Sequence, residues 1–184
     1  MCGITGFVNS NREAVDRSVL DAMNRAIFHR GPEEDGFYVK EHVGLAMRRL
    51  AIIDLASGQQ PMFNEDHTKA IVFNGEIYNY QELREKLDRL GHKFYTRSDT
   101  EVIVHLYDQY GPDGLQHLRG MFAIAIWDER DKSLFLARDR VGKKPILYSH
   151  QANGDLIFGS EFAAVLKHPA VSRAVDLEAI DNYM

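Results

Sequence analysis

The sequence predicts a layered α+β domain built on antiparallel sheets, and three observations carry that reading. Apolar runs of strand length are joined by short turns, the connection that antiparallel pairing allows. Amphipathic segments with helix start and stop signals lie between them, long enough to cover a sheet. The 184 residues, 45% hydrophobic and 27% charged, suit one soluble domain that buries roughly 70% of its unfolded surface.

Residues 4–8 alternate small and apolar side chains as a strand does. Val19, Leu20, Met23, Ala26 and Ile27 then follow helical spacing, with a stop expected at Gly31-Pro32. Residues 36–39, 43–53 and 70–73 read as strands, and the polar stretch 56–68 as a loop long enough to be functional. Asn79 with Glu82 starts a helix through Leu83, Leu87 and Leu90 that Gly91 ends, and Ser98 with Glu101 forms a capping box for Val102, Ile103, Leu106 and Tyr107. Between these helices, 92–95 is expected to be a short strand. Residues 121–127, 133–137 and 156–158 complete the strands. Leu177, Ile180 and Met184 keep helical spacing without a stop signal, so the chain is expected to be cut in mid-helix.

Composition excludes several functions. A net charge of −5 without a basic block argues against a nucleic-acid or anionic-membrane partner. No run of eighteen apolar residues and no export signal occurs, which with a single cysteine favours a reducing cytoplasm. Ala137 stands where a phosphate loop ending in Gly142-Lys143 would need glycine. One cysteine and no HExxH leave no metal site expected, and His29, His42, His92 and His105 read as surface or packing residues.

Four places carry candidate chemistry. Cys2 follows Met1; as an N-terminal residue it would join a thiol to an α-amine titrating near pH ~7.7 to 8.0, nucleophile and base in one residue. The alternative is a small buried hydrophobe. Asn74-Gly75 is either a strand-to-helix turn, with Asn79 as N-cap, or a pair of donors for an oxyanion. Arg48-Arg49 is either a solvated strand face or a fork for a carboxylate. Asp99 either complements the helix dipole or pairs with a substrate ammonium.

Taken together, MCGITGF at the start, HRGP at 29–32, RRLAIIDL at 48–55, NGEIYN at 74–79, RSDTEVI at 97–103 and ARDRVGKKP at 137–145 resemble the glutaminase domain of glutamine-hydrolysing asparagine synthetases. That is a class II glutamine amidotransferase domain with the N-terminal-nucleophile hydrolase fold. The resemblance spans nearly the whole chain and implies a four-layer αββα sandwich of two antiparallel sheets. It implies Cys2 as nucleophile, Asn74 and Gly75 as the oxyanion hole, and Arg49 on the substrate carboxylate. It further implies Glu76 and Asp99 on the ammonium, with Leu50 and Ile52 completing the substrate site. L-glutamine would be the substrate and a C-terminal synthetase domain the partner, possibly within a homodimer. ATP and magnesium would serve only that absent domain, with no cofactor here. Glu33, Met47, Ala51 and Leu147 depart from the family's usual residues. Two rival readings are a related amidotransferase with another acceptor and a degenerate glutamine-binding module.

Overall fold

The computed structural model describes residues 2–50, 54, 57–175 and 177–184. In chain order its elements are β1 (Gly3–Val8), α1 (Arg17–Ala26), a 3-10 turn (Phe28–Arg30), β2 (Glu34–Lys40), β3 (Val43–Arg49), β4 (Met62–Phe63) and β5 (Lys69–Ile77). There follow α2 (Tyr80–Arg89), α3 (Asp99–Tyr110), a second 3-10 segment (Gly111–His117), β6 (Gly120–Asp128), β7 (Ser133–Arg138), β8 (Leu147–His150), β9 (Leu156–Gly159), α4 (Phe162–Val165) and α5 (Leu177–Tyr183). A first sheet runs β2-β3-β1-β9-β8 and a second β4-β5-β6-β7, each strand pair antiparallel.

Strand alternation builds four layers. On the first sheet Ile4, Val43, Leu45 and Met47 face Val72, Ala123, Ala125 and Trp127 of the second. Their strand neighbours point outward: Phe7 and Ala46 meet Leu20 and Met23 of α1 and Val165 of α4. Ile71, Phe73, Ile124 and Ile126 meet Leu83 and Leu87 of α2 and Val102, Ile103 and Leu106 of α3. β5 and β6 are thus covered on both faces, which is why residues 121–127 read as a nearly unbroken apolar run. At about 1.5–3 kcal/mol per fully buried large side chain, these three apolar layers dominate the fold's stability.

The α+β class and the two antiparallel sheets agree with the sequence reading; several details do not. Residues 92–95 form no strand, because their amides are taken by carboxylates: Lys93 N–H donates to Glu65 Oε1 (2.9 Å) and Tyr95 N–H to Glu101 Oε1 (2.7 Å). Glu101 therefore does not close a capping box onto Ser98, although Ser98 still accepts from Thr100 N–H as N-cap of α3. Asn79 is the N-cap residue of α2 but its side chain makes no capping bond; its amide donates to His117 O and accepts from Arg119 N–H, pinning the start of α2 to the approach to β6. The strand expected over 43–53 is seen over Val43–Arg49, and 51–53 lie outside the described residues. The loop 56–68 contains β4, and β8 and α4 were not foreseen. Of the departures from the family pattern, Met47 is buried between the sheets, Leu147 packs beside α4, Glu33 is exposed, and Ala51 lies outside the described residues. Among the described residues no helix is long and apolar enough to cross a membrane.

Candidate active site

Where the start of β1, the end of β3 and the middle of β5 converge, the chain leaves a cavity of about 200 Å³. Cys2, Arg49, Leu50, Asn74, Gly75, Glu76 and Asp99 all line it. Every expected site residue is thus brought together except Ile52, which lies outside the described residues.

Cys2 reaches the cavity because Gly3 pairs with Arg48 at the opening of β1, which sets Cys2 beside the end of β3. Its Sγ lies 3.5 Å from Leu50 O and 3.4 Å from Leu50 N. Its carbonyl accepts from Arg30 Nε at 2.9 Å, and Arg30 is braced by Glu161 at 2.8 Å. Gly31 allows this packing, since a Cβ there would come within 2.5 Å of the Arg48 and Arg49 backbone.

The two arginines part company. Arg48 turns away to Asp35 (3.4 Å) and Asn24 O (3.4 Å). Arg49 is buried at the cavity wall, where Nη1 meets Glu34 Oε2 at 2.7 Å and Nη2 donates to Asp54 O at 2.8 Å. Asp54 in turn accepts from Ser57 and from Arg97 N–H, which ties this loop to the entry of α3.

On the second sheet, β4 covers only the start of β5, and beyond it side chains occupy the exposed strand edge. Gln60 Oε1 accepts Phe73 N–H at 2.6 Å while its amide donates to Thr100 Oγ1 at 3.2 Å. Asp99 Oδ2 accepts Ile77 N–H at 3.1 Å. The two-residue alternation turns the Gly75 N–H to this same edge, between Gln60 and Asp99. A Cβ on Gly75 would stand 2.2 Å from Met121 O, so the close approach of β6 also requires glycine. The Asn74 side chain is 1% exposed, and its Nδ2 is buried without a hydrogen-bond partner.

Charge at the cavity is mixed. Burial pushes the Asp99 carboxyl above the ordinary aspartate value, against the lowering effect of the Ile77, Thr100 and Asp99 N–H groups and the Ser98 hydroxyl. Burial pushes Lys144 below the ordinary lysine value; Arg30 adds to the fall, and Cys2 and Glu76 oppose it. Lys144 is placed by Asp139, which accepts its backbone N–H at 2.9 Å and that of Lys143 at 2.8 Å. Lys144, Gln60, Thr100 and Met121 line the cavity without having been singled out from sequence, and Ser98, read there as a helix cap, lines it too. Lys144 had a signal in ARDRVGKKP, and Ser98 and Thr100 in RSDTEVI.

A thiol, an unsatisfied amide donor, a guanidinium and two carboxylates around one small cavity suit an α-amino acid with an electrophilic side chain. The cavity groups no metal ligand set; among the described residues the one group of His, Cys, Asp or Glu that could hold a metal lies elsewhere, at Glu65, His92 and His105.

The chain is similar to several known proteins. The chain is 41% identical over 179 residues to glutamine-hydrolyzing asparagine synthetase 3 of Bacillus subtilis (strain 168), covering 96% of this chain and 29% of that protein. It is 43% identical over 187 residues to synthetase 1 of the same organism, covering 100% and 29%. With glutamine-hydrolyzing asparagine synthetase 2 of Arabidopsis thaliana it shares 44% over 166 residues, covering 90% and 28%. The chain therefore spans under a third of the length of these relatives. Among solved structures, glutamine phosphoribosylpyrophosphate amidotransferase from B. subtilis, complexed with ADP and GMP, superposes with a TM-score of 0.77 at 22% identity, covering 92% of this chain and 44% of that one. That likeness shows the fold, two antiparallel sheets layered between helices. The family model for the glutamine amidotransferase domain matches residues 1–184, and the chain belongs to that family.

Proposed function

We propose that this chain hydrolyses L-glutamine to glutamate and ammonia through a thioester on Cys2, and that the ammonia serves asparagine synthesis from aspartate in a longer protein. The single observation that carries the reading is the buried, unpartnered Asn74 Nδ2 in the cavity wall shared with Cys2. A donor kept dry and unsatisfied costs the free protein stability, and a developing oxyanion would use it.

In this mechanism Met1 is first removed. The Cys2 α-amine takes the thiol proton, and sulfur attacks the side-chain amide carbon of glutamine. The carbonyl oxygen becomes an oxyanion held by Asn74 Nδ2 and the Gly75 N–H. As the C–N bond breaks, the amine returns its proton to the departing nitrogen and ammonia leaves. Water, deprotonated by the same amine, attacks the thioester; glutamate is released and the thiol restored. Arg49 holds the substrate carboxylate, Glu76 and Asp99 its ammonium, and Leu50 and Ile52 flank it. This step uses no cofactor. ATP, magnesium, aspartate and any homodimer contact would belong to the C-terminal synthetase part of the longer protein, and the single cysteine supports a reducing cytoplasm as its setting.

The test is a glutaminase assay on samples graded by intact mass at the N-terminus. Glutamate release is expected in proportion to the fraction lacking Met1, and Cys2→Ala and Cys2→Ser should abolish it. Full turnover in Cys2→Ala, or in protein that retains Met1 on every molecule, overturns the mechanism.

A further inference from the structure

We propose that Glu65, His92 and His105 form a binding site for a divalent transition metal of the zinc type, separate from the catalytic cavity. Glu65 lies between β4 and β5, His92 in the connection from α2 to α3, and His105 on α3.

His105 is fully buried, and its Nδ1 has no hydrogen-bond partner; the Nδ1 of His92 is likewise buried and unpartnered. Both atoms point at one carboxylate: His92 Nδ1 is 3.2 Å from Glu65 Oε1 and His105 Nδ1 is 3.5 Å from Glu65 Oε2. The opposite ring nitrogens each have an acceptor in reach. His92 Nε2 is 3.0 Å from the amide oxygen Gln109 Oε1. His105 Nε2 is 3.5 Å from Glu101 Oε1, on a carboxylate that otherwise accepts from Tyr95 N–H, Thr96 N–H and Thr96 Oγ1. With the protons on Nε2, two Nδ1 lone pairs and the exposed Glu65 carboxylate converge on one point, three donor atoms that a cation would satisfy.

The spacing suits a metal. Zinc bonds of about 2.0–2.2 Å in tetrahedral geometry set ligand atoms roughly 3.3–3.5 Å apart. The separations of 3.2 Å to Glu65 Oε1 and 3.5 Å to Glu65 Oε2 lie near that range, on different oxygens of one carboxylate, and single ligand atoms of the three residues lie within 4.8 Å of one another. Gln109 and Glu101 supply the outer hydrogen bonds that orient metal-bound histidines. Two imidazoles with one carboxylate select zinc and its transition-series neighbours over magnesium or calcium. Glu65 is exposed, which leaves a fourth position for water. A metal here would bind the segment before β5 to α3, the helix whose first turn carries Asp99 and Thr100 at the cavity. Sequence reading missed the site because its ligands stand at 65, 92 and 105, with no helical pair among them.

The experiment uses Cys2→Ala protein, so that the thiol cannot take the metal, stripped with chelator and titrated with Zn²⁺ against a chromophoric competitor and with Co²⁺ by visible absorption. The expected result is one equivalent bound, intense tetrahedral Co²⁺ bands and a zinc-dependent rise in Tm. Glu65→Gln and His92→Gln should each abolish the Co²⁺ bands, while Gln109→Leu, which keeps all three ligands, should weaken binding about 10- to 100-fold. Circular dichroism on each variant separates lost ligation from lost folding. If a variant does not fold, the parent decides: absence of stoichiometric uptake, or of tetrahedral bands, overturns the proposal. Equal zinc affinity in folded Glu65→Gln and His92→Gln overturns it as well, leaving Glu65 as a carboxylate that shares protons with two imidazoles. Glutaminase activity does not enter the readout, so the site and the catalytic proposal fail independently.

Discussion

Asn74→Ala separates catalysis from architecture more cleanly than any other change at the cavity. In the free protein the Nδ2 is buried without a partner, so it carries a desolvation cost on the order of 1–3 kcal/mol that no internal hydrogen bond offsets. Truncation removes that cost and forfeits the packing of a few atoms in a residue only 1% exposed. The two effects oppose each other at similar size. At about 2–4 °C per kcal/mol for a chain of this length, Tm should stay within about 4 °C of the parent. Turnover should behave differently. Loss of one oxyanion donor typically costs about 2.7–4 kcal/mol in the barrier, a fall in kcat of roughly 10²- to 10³-fold. Because the oxyanion exists only after attack, KM should move less than about threefold. The assay is steady-state glutamate release beside differential scanning fluorimetry. A normal kcat with a raised KM would move Asn74 from catalysis to recognition, and a Tm collapse would reveal a structural partner for the amide.

Two further variants test recognition. Asp99 is raised by burial, so its folded value lies above its unfolded one. Its ionised form then costs stability, and that cost grows as pH rises from 3.8 through the folded value. Asp99→Asn keeps an acceptor for Ile77 N–H and should raise Tm at pH 7, the gain fading as pH falls toward 3.8, while KM for glutamine rises. A lower Tm at pH 7, or an unchanged KM, would contradict both roles. Arg49→Lys keeps the charge but cannot serve Glu34, Asp54 O and a substrate carboxylate at once. KM should rise about 10-fold or more, matching the ~1.5–3 kcal/mol of a charged hydrogen bond, and Tm should fall with it. A KM within about twofold of the parent would leave Arg49 with only its structural partners.

Legibility followed the range of the interactions. Strands and helices whose apolar spacing decides their fate, such as 121–127 and the helix starting at Ser98, could be read locally. Segments governed by distant side chains could not. Residues 92–95 look like a strand until Glu65 and Glu101 claim their amides, and Asn79 looks like a side-chain cap until His117 and Arg119 claim its side chain. The candidate site was legible because six collinear motifs resemble one family. Local sequence alone left Arg48 and Arg49 equivalent, and only the register of β3 against β1 and β2 sends one to the cavity and the other to Asp35.

The place of the cavity follows from the shortness of β4. Its two residues pair only with Ala70 and Ile71, and the edge of β5 then runs on uncovered. Buried backbone N–H groups must find acceptors, and an open edge invites a strand from another chain. Here side chains take those places: Gln60 accepts Phe73 N–H and Asp99 accepts Ile77 N–H. Gly75 lies between them, its N–H on the same edge and Asn74 Nδ2 beside it without a partner. A substrate oxygen placed there would complete the edge as a third acceptor. On this view the oxyanion hole is the gap left in a strand edge that a longer β4 would have filled. Cys2 lines the same cavity because β1, paired to β3 from Gly3 onward, begins one residue after it.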